Sequence, residues 1–472
     1  MVQLKSISTV YFIGIGGIGM SALARYLKRQ LGLNVAGYDR IESPLTEALM
    51  AEGIVVNHNH DQLPAFIDSL PPESLLVVRT PAVPLDHPHH IALAEKGTPI
   101  IKRSELLGSI VKENPTLAVA GTHGKTTTTA ILAHLLAGCP GKCNAFLGGI
   151  AAGVESNLYL DINAAWTVVE ADEFDRSFLH LHPQHAVITS LDPDHLDIYG
   201  DEKTFRDAFH SFSQQVEHGC LVHSDVVWGD QKAERYGIAS NRKEAEGLAY
   251  AAINPQILHG VWTADVKLGS RWMAEVEFPM PGLHNVSNAL AALALAHKAG
   301  APMEICRKRL TTFQGIHRRF TYHIKEEAGV YIDDYAHHPS ELRAAIQTAR
   351  MQHPGKAITG IFQPHLYSRT QDHLMEFAAV LGTLDHVILL PIYAAREVPI
   401  PGIDSQRLFE NIPNTTKHLI DSERIFDCLK AHPPEVLITL GAGDIDRCAA
   451  PLKLWLLEDL NRFKTTTTTQ HP

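Results

Sequence analysis

Short apolar runs alternate along this chain with stretches of helix-compatible sequence, and nearly every run stops at glycine or at a knot of polar residues. Runs at 10–13, 34–38 and 75–78 come first, with a helix-compatible segment at 20–27 between the first two. Runs at 117–120, 166–169 and 186–190 follow, with an apolar helical segment at 130–136. Residues 215–280 are more irregular, and their strand-like stretches 260–266 and 273–278 predict an antiparallel addition to a sheet. Runs at 330–332, 358–362 and 436–440 then return, and helices are predicted over 289–297 and 340–352. Continuous apolar runs bounded by turn residues and separated by helices are the pattern of strands buried on both faces of a parallel sheet. The pattern predicts an α/β protein of three domains, 1–108, 109–316 and 317–463, followed by a threonine-rich tail, 464–472, expected to be disordered.

The stretch around which the rest is organised is the one ending the run at 117–120. It turns through Gly121, Thr122, His123 and Gly124 into Lys125, Thr126 and Thr127, then enters the helical segment. Strand, glycine turn and helix N-terminus together make a polyphosphate cradle, because backbone N–H groups and the positive end of the helix dipole face the same point. Lys125 supplies a point charge for the outer phosphates and the Thr126 hydroxyl reaches Mg²⁺. An ordinary glycine turn would explain the bend but not Lys-Thr-Thr in register, so the expected ligand is ATP.

A second glycine signature lies near the start. Gly14, Gly16, Gly17 and Gly19 follow the first apolar run, and Asp39 ends the second run 20 residues beyond Gly19. This is the βαβ fingerprint for a nucleotide diphosphate, and alone it favours a dehydrogenase with Asp39 on the ribose. Such an enzyme would leave the loop at Lys125 idle. A non-catalytic nucleotide switch would use Lys125 but not the polar strand ends that follow.

Those ends are numerous. The run at 166–169 leads into Glu170, Asp172, Glu173 and Asp175, and the run at 186–190 leads into Asp192, Asp194, His195 and Asp197. Ligands of open α/β sheets bind at this carboxyl edge. Oxygen-rich ligation suits Mg²⁺, and of these residues Glu170 and His195 are the candidates. They are 25 residues apart and meet only if their strands lie side by side. His284, Asn285 and Asn288 open a later helix, and N-capping explains one of the three. In the last third, Asp333, Asp334, Tyr335, His337, His365 and Arg369 again cluster after apolar runs.

Composition narrows the class. A net charge of −11 gives no support for nucleic-acid binding, and no apolar stretch approaches membrane length. The six cysteines are scattered, without zinc or disulfide spacing, which together with an N-terminus lacking a secretion pattern points to the cytoplasm. Histidine is abundant, at 28 residues, and the clusters 87–90 and 180–185 read as surface positions in loops.

Eight motifs in order, GIGGIGM, GTHGKTTTT, VEADEFDRSF, DPDHLDIYG, GLHNVSNA, HRRF, DDYAHHPSE and FQPHLYSRT, resemble those of the Mur ligases over residues 10–450. The resemblance implies a Rossmann-like N-terminal domain for a UDP-sugar, a central P-loop ATPase-type domain and a C-terminal dinucleotide-fold-like domain for the amino acid. It implies ATP and Mg²⁺, and the joining of L-alanine to the carboxylate of UDP-N-acetylmuramate through an acyl phosphate. The GIGGIGM form separates the chain from the related ligase that recycles murein tripeptide. By resemblance Lys125 neutralises the transferring phosphoryl, and Thr126, Glu170 and His195 belong to the metal sites. Gly121 to Thr127, His284, Asn285, Asn288, Arg319 and Asp334 serve ATP, the last two only once the domains close. Gly14, Gly16, Gly17, Gly19, Met20 and Asp39 serve the UDP-sugar, and Tyr335, His337, His365 and Arg369 the amino-acid end. Leu366 stands where many relatives carry Arg. A monomer or weak homodimer is expected.

Overall fold

A computed structural model gives the structure of residues 4–193, 196–230, 233–395, 397–413 and 416–468. They form two compact units, one of residues 1–279 with 285–316 and the other of 280–284 with 317–472.

The first unit holds two sheets. The N-terminal sheet is wholly parallel: β1 (Thr9–Ile13), β2 (Asn34–Tyr38), β3 (Val55–Asn57), β4 (Leu75–Arg79) and β5 (Ile100–Lys102), in the order β3-β2-β1-β4-β5. Every residue of β1 is buried, as the unbroken apolar run requires. The second sheet has ten strands. They are β6 (Thr116–Ala120), β7 (Cys143–Ala151), β8 (Ser156–Tyr159), β9 (Trp166–Glu170), β10 (His185–Ile188), β11 (Cys220–His223), β12 (Glu234–Ala239), β13 (Tyr250–Leu258), β14 (Val261–Leu268) and β15 (Arg271–Phe278). Their order is β15-β14-β13-β12-β11-β10-β6-β9-β7-β8.

This order corrects two expectations. Only β13, β14 and β15 make the antiparallel addition, whereas β11 and β12 extend the parallel sheet. And β9 and β10 are not neighbours: they flank β6, one on each side, so both carboxyl ends border the turn after β6. The side-by-side pairing on which the meeting of Glu170 and His195 was made to depend is therefore absent, and His195 itself lies outside the described residues.

One apolar core runs through both sheets, from Val10 and Phe12 through Leu106 and Phe146 to Phe209. The helix Arg103–Val111 passes through residue 108, where the sequence pattern placed the end of the first domain. A polar network also joins the two sheets. Arg25, 3 % exposed, donates through Nε to the Glu52 carboxylate (2.9 and 3.1 Å) and through Nη1 to the Oδ1 of Asn157 on β8. Asn157 in turn donates to the Ser21 hydroxyl at 2.8 Å. Arg25→Met leaves the buried Asn157 amide oxygen without its donor, while Glu52 keeps Arg29 at 3.0 Å, a loss of the kind that costs about 1–3 kcal/mol. The first unfolding transition of the variant in urea should shift accordingly, and a change under about 1 kcal/mol would show that the network is dispensable.

The histidines at 87–90 are not all surface residues. His87 and His89 are buried: His87 caps the helix Pro88–Glu95 by accepting from the His89 amide, and His89 Nδ1 lies 3.0 Å from the Tyr11 hydroxyl. Both rings pack on Tyr38, and burial pushes His87 down to about 4. A helix begins where the sequence suggested a loop, and its cap faces the sheet. His180 and His182 are exposed as expected, but His185 opens β10 and is half-buried.

The second unit carries β16 (Thr321–Glu326), β17 (Gly329–Asp334), β18 (Ile358–Phe362), β19 (His386–Leu389), β20 (Lys417–Leu419) and β21 (Val436–Leu440) in the order β16-β17-β21-β18-β19-β20. All pairs but β16–β17 are parallel. The final helix, Ala449–Thr468, includes residues 464–468 of the stretch that composition assigned to a disordered tail, and residues 469–472 lie outside the described ones. Among the described residues no helix is long and apolar enough to cross a membrane.

Candidate active site

The turn after β6 leaves little room for other residues. Gly124 is left-handed (φ +80°), and a Cβ there would sit 2.3 Å from the Asn288 Oδ1. Only glycine both adopts that backbone and lets the helix Leu283–Lys298 approach. Asn288 receives the Thr128 hydroxyl at 3.4 Å and donates to the Asn285 Oδ1 at 3.2 Å. The pair therefore braces the turn and the helix Lys125–Ala137 that follows it. On the other side the segment after β10 supplies Ser190, whose hydroxyl accepts from the His123 amide at 2.7 Å and lies 2.9 Å from the Thr122 hydroxyl. His123 also faces the Asp192 carboxylate at 3.2 Å. Thr126 and Thr127 are buried in the first helical turn.

Lys125 points back into this turn. Its ammonium donates to the carbonyls of Gly121 (2.6 Å) and Thr122 (3.2 Å) and pairs with Glu173 Oε1 at 2.8 Å. Burial works to lower the lysine's pKa, and the carboxylates of Glu173, Glu170 and Asp172 outweigh it, so the ammonium is held charged. Burial pushes the Glu173 carboxyl above its usual range despite the pull of Lys125.

Glu170, at the end of β9, accepts the Thr126 hydroxyl on both oxygens (3.1 and 3.0 Å) and the Gly148 amide at 3.0 Å. A carboxylate and a hydroxyl this close at a phosphate turn are hard oxygen donors that fit Mg²⁺. His195, the other metal candidate, lies outside the described residues.

At the N-terminal glycines, the Asp39 carboxylate is turned onto the backbone of its own neighbourhood. Its Oδ2 accepts the Gly16 amide at 2.7 Å and its Oδ1 the Ile41 amide at 3.1 Å. A Cβ on Gly16 would meet Asp39 Oδ2 and Thr46 Cγ2, each at 2.8 Å. A bulky residue there disturbs the turn itself before it crowds any ligand. Gly14, Gly17 and Gly19 line the same turn, with Gly19 lying against the Arg103 guanidinium, and Met20 is buried in the core.

In the second unit Asp334 ends β17, and its carboxylate accepts the amides of Phe320 and Ala336, each at 2.7 Å. Its burial raises the carboxyl to about 7, against the opposing pull of Arg319. Arg319 lies over the Tyr335 ring, 5.2 Å from its centroid, and 3.9 Å from Glu341. His337 Nδ1 donates to the Tyr335 carbonyl (2.9 Å), and its ring is 5.9 Å from His365. Arg369 Nη1 lies 3.4 Å from His365 Nδ1. Burial pushes both His284 and His337 down to about 4. Tyr335, His337, His365 and Arg369 thus form one cluster. Leu366 adjoins it with φ 72°, a backbone unusual for leucine.

Glu173, Ser190 and Arg103 were not singled out in the sequence. Glu173 sits three residues past Glu170 in the same acidic string, Ser190 at a strand end, and Arg103 carries no motif.

Three family models cover the chain: "Mur ligase family, catalytic domain" at residues 9–114, "Mur ligase middle domain" at 119–296 and "Mur ligase, glutamate ligase domain" at 318–443. The chain belongs to the Mur ligase family. Among Mur ligases it is 45% identical over 460 residues to UDP-N-acetylmuramate–L-alanine ligase of Porphyromonas gingivalis, covering 95% of this chain and 98% of that protein. The ligase of the same name from Cytophaga hutchinsonii is 43% identical over 456 residues, covering 96% and 97%. Of solved structures, UDP-N-acetylmuramate–alanine ligase of Thermotoga maritima superposes with a TM-score of 0.77 at 27% identity, covering 98% of this chain and 100% of that one. A murein peptide ligase of Psychrobacter arcticus shares the fold, with a TM-score of 0.66 at 22% identity over 92% of this chain and 96% of that one.

Proposed function

We propose that this Mur ligase joins L-alanine to the carboxylate of UDP-N-acetylmuramate at the expense of ATP, an early step of peptidoglycan precursor synthesis. The observation that carries the reading is the phosphate turn with Lys125, Thr126 and Glu170 converging on it. The similarity, along nearly the whole chain, to ligases named for this reaction supports it.

The sugar's carboxylate oxygen attacks the γ-phosphorus, the bond from that phosphorus to the β-phosphate oxygen breaks, and ADP leaves. The alanine amine then attacks the acyl carbon of the resulting acyl phosphate, loses a proton, and expels inorganic phosphate. No protein nucleophile is needed, so positioning and charge carry the catalysis. Lys125 neutralises charge on the transferring phosphoryl, and backbone amides of the turn hold the neighbouring oxygens. Thr126 and Glu170, with His195 as a further ligand, would hold Mg²⁺, which would neutralise phosphate charge when bound. The glycines at 14–19 hold the UDP diphosphate at the start of the helix Ile18–Leu31, and the cluster of Tyr335, His337, His365 and Arg369 receives the amino acid. The protein acts in the cytoplasm as a monomer or weak homodimer.

Phosphate release from ATP should require UDP-N-acetylmuramate and L-alanine together. Release with murein tripeptide in place of L-alanine would point to the recycling ligase. Tight NADH binding without ATP turnover would point to a dehydrogenase.

A further inference from the structure

An ammonium group has three donors, and in this structure Lys125 has three acceptors: the Gly121 carbonyl, the Thr122 carbonyl and Glu173 Oε1. A phosphate oxygen reaches that ammonium only by taking one of these places. The two carbonyls belong to the phosphate turn and travel with it. Glu173 belongs to the segment after β9, and that segment is fastened separately. The Tyr199 hydroxyl donates to the Glu173 carbonyl at 2.6 Å, Arg103 pairs with Asp172 at 3.1 Å, and Lys102 pairs with Asp175 at 2.7 Å. Glu173 therefore cannot follow Lys125 toward a ligand. It is 2 % exposed, and among the described residues its second oxygen has no hydrogen-bond partner. A buried carboxylate with one oxygen on a lysine and the other unsatisfied is an expensive arrangement.

We propose that Glu173 is the resting-state counter-ion of Lys125, displaced by the terminal phosphate of the nucleotide, and so a positioning residue that sets nucleotide affinity. The inference rests on the reading of the turn as an ATP site. The carboxylate and the phosphate compete for one cation, so the protein binds nucleotide less tightly than its donors alone would allow. The same competition helps the ammonium let go of the spent nucleotide, because a counter-ion waits for it.

The test is binding of the non-hydrolysable analogue adenylyl imidodiphosphate with Mg²⁺, by calorimetry, to wild type and Glu173→Gln. The variant should bind at least about fivefold more tightly, with kcat no higher than wild type and an unchanged KM for UDP-N-acetylmuramate. A merely structural role would loosen the site and weaken binding, so an unchanged or weaker Kd overturns the proposal. If the variant does not fold, the wild-type complex with the analogue decides: Lys125 Nζ on a phosphate oxygen and beyond 4 Å from Glu173 supports exchange, and a retained ion pair overturns it. Failure of wild type to bind the analogue at all would instead sink the ATP reading.

Discussion

Lys125→Ala is expected to lower kcat by ~100-fold or more, with the fold retained. The charge it removes acts where negative charge moves during phosphoryl transfer, in a site where a single such contact is worth roughly 3–4 kcal/mol. A second effect comes from the ion pair with Glu173, which is 2 % exposed on the carboxylate side. Deleting the lysine strands a buried carboxylate, a disruption of about 3–5 kcal/mol when the carboxylate stays charged, and protonation of Glu173 relieves part of it. Stability and catalysis are therefore both altered, and they separate in the double variant Lys125→Ala/Glu173→Gln. That variant should recover much of the lost melting temperature and none of the lost kcat. A single variant keeping more than a tenth of wild-type kcat would show that Lys125 is not central to the chemistry.

Glu170→Gln is expected to raise the Mg²⁺ concentration needed for half-maximal activity by ~10-fold or more, through loss of one ligand charge. The shape is kept and the hydroxyl of Thr126 still finds an acceptor. The wild-type carboxylate also receives the Gly148 amide, which a glutamine satisfies with its remaining oxygen. Melting temperature should thus move little. If Glu170 only ties β7 and the phosphate turn together, the reverse is seen: a lower melting temperature and an unchanged Mg²⁺ titration. Activity against Mg²⁺ concentration, measured beside thermal unfolding, distinguishes the two.

Much of this site was legible in the sequence because its signals are local. A glycine that must be left-handed, a lysine one residue later and a hydroxyl after that lie within a single turn, and the backbone they require is written in the residues themselves. Gly121, Gly124, Lys125 and Thr126 were found that way, as were the strands before them, whose apolar runs state their burial on both faces. Glu170 was found by its place at a strand end. Asp39 was picked out for a ribose, and in the structure its carboxylate holds the Gly16 amide.

What the sequence could not contain is which distant segments meet. That β9 and β10 flank β6 depends on sheet order, which is set by packing across the whole unit, and this order brings Ser190 and Glu173 to the two sides of the phosphate turn. The burial of His87 and His89 has the same origin, a helix laid on a sheet that no local pattern announces. Arg103 stands beside Gly19 and Asp172 only because the helix Arg103–Val111 runs between the two sheets of its unit. By itself, then, the sequence determined the phosphate turn, the glycine fingerprint and the parallel strands, because backbone conformation and strand burial follow from neighbouring residues. Only the tertiary structure decided which charge each cation meets, because a side chain's partner is chosen by contacts between residues far apart in the chain.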